Sequence, residues 1–325
     1  MSQTILTFLM FLIPFLIFAV LLFLALRIRR PPLKWIGVVV AGLLTLVFGV
    51  ATVLGVIAIA KLNSTQPNPV SNIKASTSPQ DIARAQRLAI LCGDCHSSNG
   101  TAVLDGSKES TIPDMLATIY APNLTPGGDL KNWSDGQIAR AIREGVDDEG
   151  KPLFIMPSEA FHSMSDADVA AFVGYLRSMP AVNHDTPPKA IAPLGLLLLG
   201  AGQVPSAVQP PITQPIVGAP EGVTLEYGKY LTDTVGCRDC HGADLAGGTP
   251  GGNGPPPGPN LTVLVPKWSE ADFIKTIRTG TDPTGHTLDP EQMPWKSYST
   301  ALTDDNLRAL YMYIHSLPPI VKPAP

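Results

Sequence analysis

The chain has 325 residues, enough for one to three domains and for a core that needs no disulfide stapling. Only 15% of the residues are charged and 45% are hydrophobic, a balance that points to a membrane segment or a Pro/Gly-rich region. Residues 1–62 hold five of the 23 Lys and Arg and none of the 27 Asp and Glu, so 18 basic and 27 acidic residues leave the remainder at −9, a sign that excludes nucleic acid as a partner.

Two apolar runs come first. Thr4 to Leu26 is 23 residues without a charge, long enough to cross a hydrocarbon core of about 30 Å, and Trp35 to Ala60 is a second such run. The basic turn between them carries Arg27, Arg29, Arg30 and Lys34, which the positive-inside rule places in the cytoplasm. Residues 1–62 are therefore expected to form a transmembrane hairpin with both ends on the outer side. A cleaved signal peptide fits less well, since the first run lacks a charged n-region and a small-x-small cleavage site. The first run contains Pro14. The second carries Gly37, Gly42, Gly49 and Gly55, which allow close approach of another helix: its own partner in the hairpin, or the helix of another subunit.

After a polar connector, 63–79, one pattern occurs twice, over residues 80–180 and 222–319. The first copy reads Cys92-Gly93-Asp94-Cys95-His96, Pro122-Asn123-Leu124-Thr125, Trp133-Ser134, Arg143-Glu144-Gly145, Met156-Pro157 and Met179-Pro180. The second reads Cys237-Arg238-Asp239-Cys240-His241, Pro259-Asn260-Leu261-Thr262, Trp268-Ser269, Arg278-Thr279-Gly280, Met293-Pro294 and Leu317-Pro318, in the same order. The Pro-rich stretch between the copies, 181–221, reads as a semi-rigid extended linker, and residues 320–325 as a tail. Its one apolar run, Leu194 to Leu199, fits an interdomain contact or a patch against a membrane or partner.

The class is all-α. Ser134 with Gln137 forms a capping-box pattern, and Ser165, Ser269 and Thr303 precede polar first turns in the same way. Val169, Phe172, Val173 and Leu176 fall at i, i+3, i+4 and i+7, and Leu307, Leu310, Tyr311 and Ile314 repeat that spacing. Each copy thus closes with an amphipathic helix stopped at Pro180 or Pro318.

All four cysteines lie in Cys-x-x-Cys-His, the attachment signal for c-type haem. Two thioether bonds need two cysteines along one helix edge, and the following histidine is then placed beneath the iron. Cys92, Cys95, Cys237 and Cys240 are expected to bind two haem c groups covalently, with His96 and His241 as proximal ligands. One shared zinc site is disfavoured by the 141 residues separating Cys95 from Cys237, and a thioredoxin-like dithiol by the missing βαβ context. Met156 and Met293 are the expected distal ligands, because they align in the repeat and both precede Pro, which stiffens the loop presenting the sulfur. His162, His184, His286 and His315 compete for that place, but none is matched by a histidine in the other copy. The carbonyls of Pro122 and Pro259 are candidates to orient the ligating imidazoles, and Trp133 and Trp268 to pack at the haem edges.

On these motifs the copies resemble class I cytochrome c domains. The Pro-Asn-Leu-Thr, Trp-Ser, Arg-x-Gly and Met-Pro series resembles the cytochrome subunits of membrane-bound alcohol and gluconate dehydrogenases, whereas two haems behind N-terminal spans are more similar to the dihaem subunit of cbb-type oxidases. The resemblance implies a relay of single electrons between a membrane redox complex and an oxidase, reaction centre or soluble carrier, with haem domains on the periplasmic side. Its partners would be redox proteins or complex subunits, with no small-molecule substrate and no catalytic residues. The alternatives are a subunit inside a quinol-oxidising, dehydrogenase or oxidase complex and, opposed by a Met-Pro in each copy, a dihaem peroxidase. The copies differ at a long loop, Gly247 to Pro259, and at Gly127-Gly128-Asp129, where different partners are expected to dock.

Overall fold

The computed structural model describes residues 3–110, 112–248 and 257–321. Most of the Gly247–Pro259 loop, residues 249–256, and the tail beyond residue 321 lie outside the described residues. In chain order the helices are α1 (Gln3–Leu26), α2 (Pro31–Leu62), α3 (Pro79–Leu88), α4 (Ile90–His96), α5 (Asp135–Glu144), α6 (Ser158–Phe161) and α7 (Asp166–Ser178). Then come α8 (Pro193–Gly200), α9 (Leu225–Thr234), α10 (Cys237–His241), α11 (Leu261–Leu264), α12 (Glu270–Thr279), α13 (Trp295–Ala301) and α14 (Asp304–Ser316). Among the described residues the only strands are β1 (Ala117–Thr118) and β2 (Ala190–Ile191), an antiparallel pair, so the chain is all-α as its patterning implies.

Two compact units form. The first takes residues up to 66, 107–121 and 186–205. In it α1 and α2 pack antiparallel, and the glycines of α2 face α1: a Cβ at Gly55 would stand 2.8 Å from the Phe8 ring and one at Gly49 3.2 Å from Phe15. The close approach is therefore spent within the hairpin. Phe18 and Phe48 stack across the same seam at 5.7 Å. The outward faces stay apolar and exposed, with Val20 at 58% and Val47 at 60%. Both helices are long and apolar enough to cross a membrane.

The stretch read as an extended linker is more than a spacer. Pro193 starts α8 at a position where its missing N–H costs nothing. Leu196 and Leu199 are buried as this helix packs on α2. Farther along, Ala207 N–H donates to Leu153 O at 3.1 Å, Gln209 N–H to Glu144 O at 3.0 Å, and the Ile216 carbonyl accepts from Asp166 N–H at 2.9 Å. Proline removes donors from this stretch, but several of its remaining amides and carbonyls are used by the folded parts.

The second unit contains the second copy of the repeat and all of the first except residues 107–121, which belong to the first unit. In each, the lead helix crosses the closing one: α3 on α7, and α9 on α14. Gly228 permits the second crossing, since a Cβ there would come within 2.0 Å of the Ala309 carbonyl. Val169, Val173 and Leu176 bury in one core, Leu307, Leu310 and Ile314 in the other. Capping boxes form at Ser134/Gln137, Ser269/Asp272 and Thr303/Asn306, and Ser165 Oγ accepts from Asp168 N–H. Gly145 and Gly280 end α5 and α12 with φ of 66° and 67°, the left-handed cap that favours glycine.

The copies share a seam. Leu88 and Leu91 of the first pack on the core of the second. Helix α13 contacts α4, and α6 contacts α9, so the short helix after each Met-Pro reaches the other copy.

Candidate haem sites

Helix α4 carries Cys92 and Cys95 one turn apart and ends at His96; α10 does the same with Cys237, Cys240 and His241. Burial pushes the Cys92 and Cys237 thiols up to about 12. A thiol held so far above neutral pH is a poor thiolate nucleophile, which counts against a redox dithiol.

Each histidine is fixed by one backbone carbonyl. His96 Nδ1 lies 3.0 Å from Pro122 O, and His241 Nδ1 lies 2.8 Å from Pro259 O. A carbonyl only accepts, so the proton sits on Nδ1 and the lone pair on Nε2. Burial lowers the pKa of both rings, against the opposing effect of the carbonyl bond, and so favours the neutral form. A neutral imidazole with Nδ1 anchored and Nε2 free to donate a pair is the form that ligates iron. With two thiols on the same helix, the donor set of each motif fits a covalently held haem.

The residue after each proline explains why the carbonyl is rigid. Asn123, fully buried, donates through Nδ2 to Val182 O at 2.8 Å and His184 O at 3.1 Å, and its Oδ1 accepts from Thr125 Oγ1 at 2.7 Å. Asn260 repeats this with Ile320 O at 2.6 Å and Thr262 at 2.7 Å. The Pro-Asn-Leu-Thr segment therefore ties the histidine's acceptor to the chain leaving the closing helix.

Met156 and Met293 are half-buried, each in a tight turn with Pro next: Ser158 N–H donates to Met156 O at 2.8 Å and Trp295 N–H to Met293 O at 2.6 Å. Pro157 (φ −79°, ψ 58°) and Pro294 (φ −74°, ψ 56°) have the dihedrals of an inverse γ-turn. The two methionines thus have the same local geometry. Met293 packs with Cys237 and Trp268 on the second core; Trp133 packs with Cys92 on the first.

The competing histidines stand elsewhere. His162 Nδ1 bonds Arg143 O at 3.0 Å, and the exposed His315 ring lies 5.1 Å from that of Tyr311. His184 and His286 are exposed. Sequence reading passed over the arginine of the Arg-x-Gly motif. Arg143, 3% exposed, donates through Nη1 to Met164 O at 3.0 Å and Asp166 Oδ1 at 2.7 Å. Arg278 makes the matching contacts with Leu302 O at 2.9 Å and Asp304 Oδ1 at 2.7 Å. Each pins the start of its closing helix, and the signal for it was the recurrence of an acidic residue in that first turn.

Comparison with known proteins agrees with this geometry. Residues 82–180 and 225–318 each match the cytochrome c family. A nicotinate dehydrogenase component of Pseudomonas putida is 28% identical over 85% of this chain, and a fructose dehydrogenase cytochrome subunit of Gluconobacter japonicus 23% over 82%. The chain spans only 24% and 59% of those two proteins' lengths. A diheme c-type cytochrome of Cereibacter sphaeroides is 25% identical over 74% of this chain and 87% of its own length. With both copies matched, the chain belongs to the cytochrome c family, an electron-transfer protein whose prosthetic group is covalently bound haem c.

Proposed function

We propose that the protein is a membrane-anchored dihaem cytochrome that passes single electrons from a membrane dehydrogenase-type complex to an oxidase, reaction centre or soluble carrier. The observation that carries it is the duplicated histidine-to-proline-carbonyl bond, 3.0 Å in one copy and 2.8 Å in the other, with both bonded pairs inside one compact unit. Haem supplies the one-electron couple. This chain's part is to hold it: Cys92 and Cys95, and Cys237 and Cys240, form the thioethers. His96 and His241 would ligate the iron through Nε2, with the Pro122 and Pro259 carbonyls orienting those rings, and Met156 and Met293 would supply the remaining protein ligands. Ligation by a methionine thioether together with histidine would favour the reduced state and shut out exogenous ligands, as a relay requires. Trp133 and Trp268 cover the haem edges.

The hairpin anchors the chain with its basic turn in the cytoplasm and the haem unit on the outer side of the bacterial membrane. A standing place inside a dehydrogenase complex is equally supported, because the similar proteins include a fructose dehydrogenase cytochrome subunit and the cytochrome c subunit of a quinone-linked alcohol dehydrogenase from Gluconacetobacter polyoxogenes. Extraction of native membranes in mild detergent, followed by affinity capture and haem staining, separates the two. A free relay comes out alone with two haems per chain. A stoichiometric flavin, molybdenum or quinoprotein partner assigns it to a dehydrogenase, and one haem per chain contradicts both readings.

A further inference from the structure

Between Ala190 and Pro220 the sequence carries no charge, and at its centre α8 is built of Pro, Gly and Leu alone. Its buried side rests on α2: a Cβ at Gly200 would stand 2.1 Å from Leu54 O, and Lys61 Nζ donates to Leu199 O at 2.9 Å. The opposite side is bare, with Leu194 39% exposed and Leu197 and Leu198 half-buried. A short helix with no polar face, in a stretch with no charge, is not built to be solvated.

Its level along α2 says what covers it. Lys34 closes the basic turn, and Leu54 lies 20 residues later on the same helix, a rise of about 30 Å and so one hydrocarbon thickness away. The end of α8 therefore sits at the membrane boundary opposite the basic turn. Val50, Val53 and Val56 of α2 are exposed at that level, at 53%, 58% and 53%, so the end of α8 stands at an apolar belt of the hairpin's outer surface. Lys61 has the boundary position of a snorkelling lysine, its amine on the Leu199 carbonyl in the last turn of α8. A protein-docking surface would carry a polar rim, which α8 lacks.

We infer that α8 is a third membrane-contacting element, seated in the bilayer boundary beside α2 with Leu194 and its neighbours against lipid. The inference rests on the hairpin spanning the membrane, and the test keeps the two apart. The four native cysteines belong to the haem motifs, so an introduced cysteine is the only free thiol for a spin label. Leu194→Cys, Val47→Cys at mid-span and Val217→Cys on a 91% exposed side chain are each labelled in the full haem-loaded chain and reconstituted in phosphatidylethanolamine/phosphatidylglycerol vesicles. Collision with oxygen is then compared with collision with a water-soluble nickel chelate. The oxygen-to-nickel ratio at Leu194 is expected to be several-fold above that at Val217 and on the side of Val47. A ratio at Leu194 equal to that at Val217, with Val47 still lipid-like, overturns the inference and leaves the anchor standing. A label at Leu194 reached by neither collider overturns it in favour of a protein contact. A water-like ratio at Val47 defeats the anchor itself.

Discussion

Tyr230, on the lead helix of the second copy, donates its hydroxyl to the Asp168 carboxylate on the closing helix of the first. The same oxygen accepts from Ser165 N–H at 3.0 Å, and Arg84 approaches the other carboxylate oxygen at 2.5 Å. Burial, and then the Asp168 charge, push the Tyr230 hydroxyl well above its ordinary pKa, so it stays protonated and donates. This knot lies beside a cleft that reaches Cys92. It holds the copies together next to α4, the helix that carries Cys92.

Removing the hydroxyl should therefore loosen the unit. Tyr230→Phe deletes a hydrogen bond to a charged acceptor and should destabilise the haem unit by about 1.5–3 kcal/mol. The readout is denaturant unfolding of the reduced protein followed by its visible spectrum. An unchanged midpoint would mean that the seam is held by its other contacts, the packing of Leu88 and Leu91 and of α13 on α4, and not by this hydroxyl.

The methionine turns make a spectroscopic prediction. Met156→Ala should abolish the Met-to-iron charge-transfer band of one haem and lower that haem's potential, leaving the other untouched, and Met293→Ala should do the converse. Pro157→Gly and Pro294→Gly keep the sulfur but free the turn, so the bands should weaken rather than vanish. A band that survives the alanine substitution returns that methionine to a packing role.

The two arginines should differ in weight. Arg143→Met leaves the Met164 carbonyl without its buried donor and should cost about 1–3 kcal/mol. Arg278→Met should cost less, because Asp304 is 58% exposed and water can solvate the carboxylate left without its partner. Equal losses in urea titrations of the two variants would contradict this ranking.

Acid should find a specific weak point at Asp135. Burial alone would raise its carboxyl pKa, but the Ala75 N–H at 3.0 Å and Arg177 at 3.1 Å outweigh that and hold it below the ordinary range. The folded-state pKa is thus lower than the unfolded one. The stabilisation is complete above about pH 4 and is lost as pH falls through the folded value. The melting temperature of the native protein should therefore fall more steeply below about pH 4 than that of Asp135→Asn. Parallel curves would remove Asp135 from the acid response.

The haem motifs, helix caps and closing helices were legible because each depends on residues close in sequence: Ser134 needs only Gln137, and His96 only the cysteines before it. The duplication extended this reach to Pro122 and Pro259, since a residue recurring at one place in two copies reports a shared contact. Tyr230 and Asp168 were not legible. They are 62 residues apart, in different copies, and neither is matched in the other repeat. Helix α8 was hidden for a different reason: a short apolar run fits helix or strand equally, and the prolines around it suggested an extended chain. Pro193 at its first position was the available clue.

The most direct test is the response of the fully reduced, haem-loaded protein to carbon monoxide. If His96 and Met156 hold one iron and His241 and Met293 the other, both haems are six-coordinate and closed, and the reduced spectrum stays unchanged under the gas. Rapid stoichiometric binding at either haem would show an open axial position and replace the electron relay with a ligand-activating enzyme.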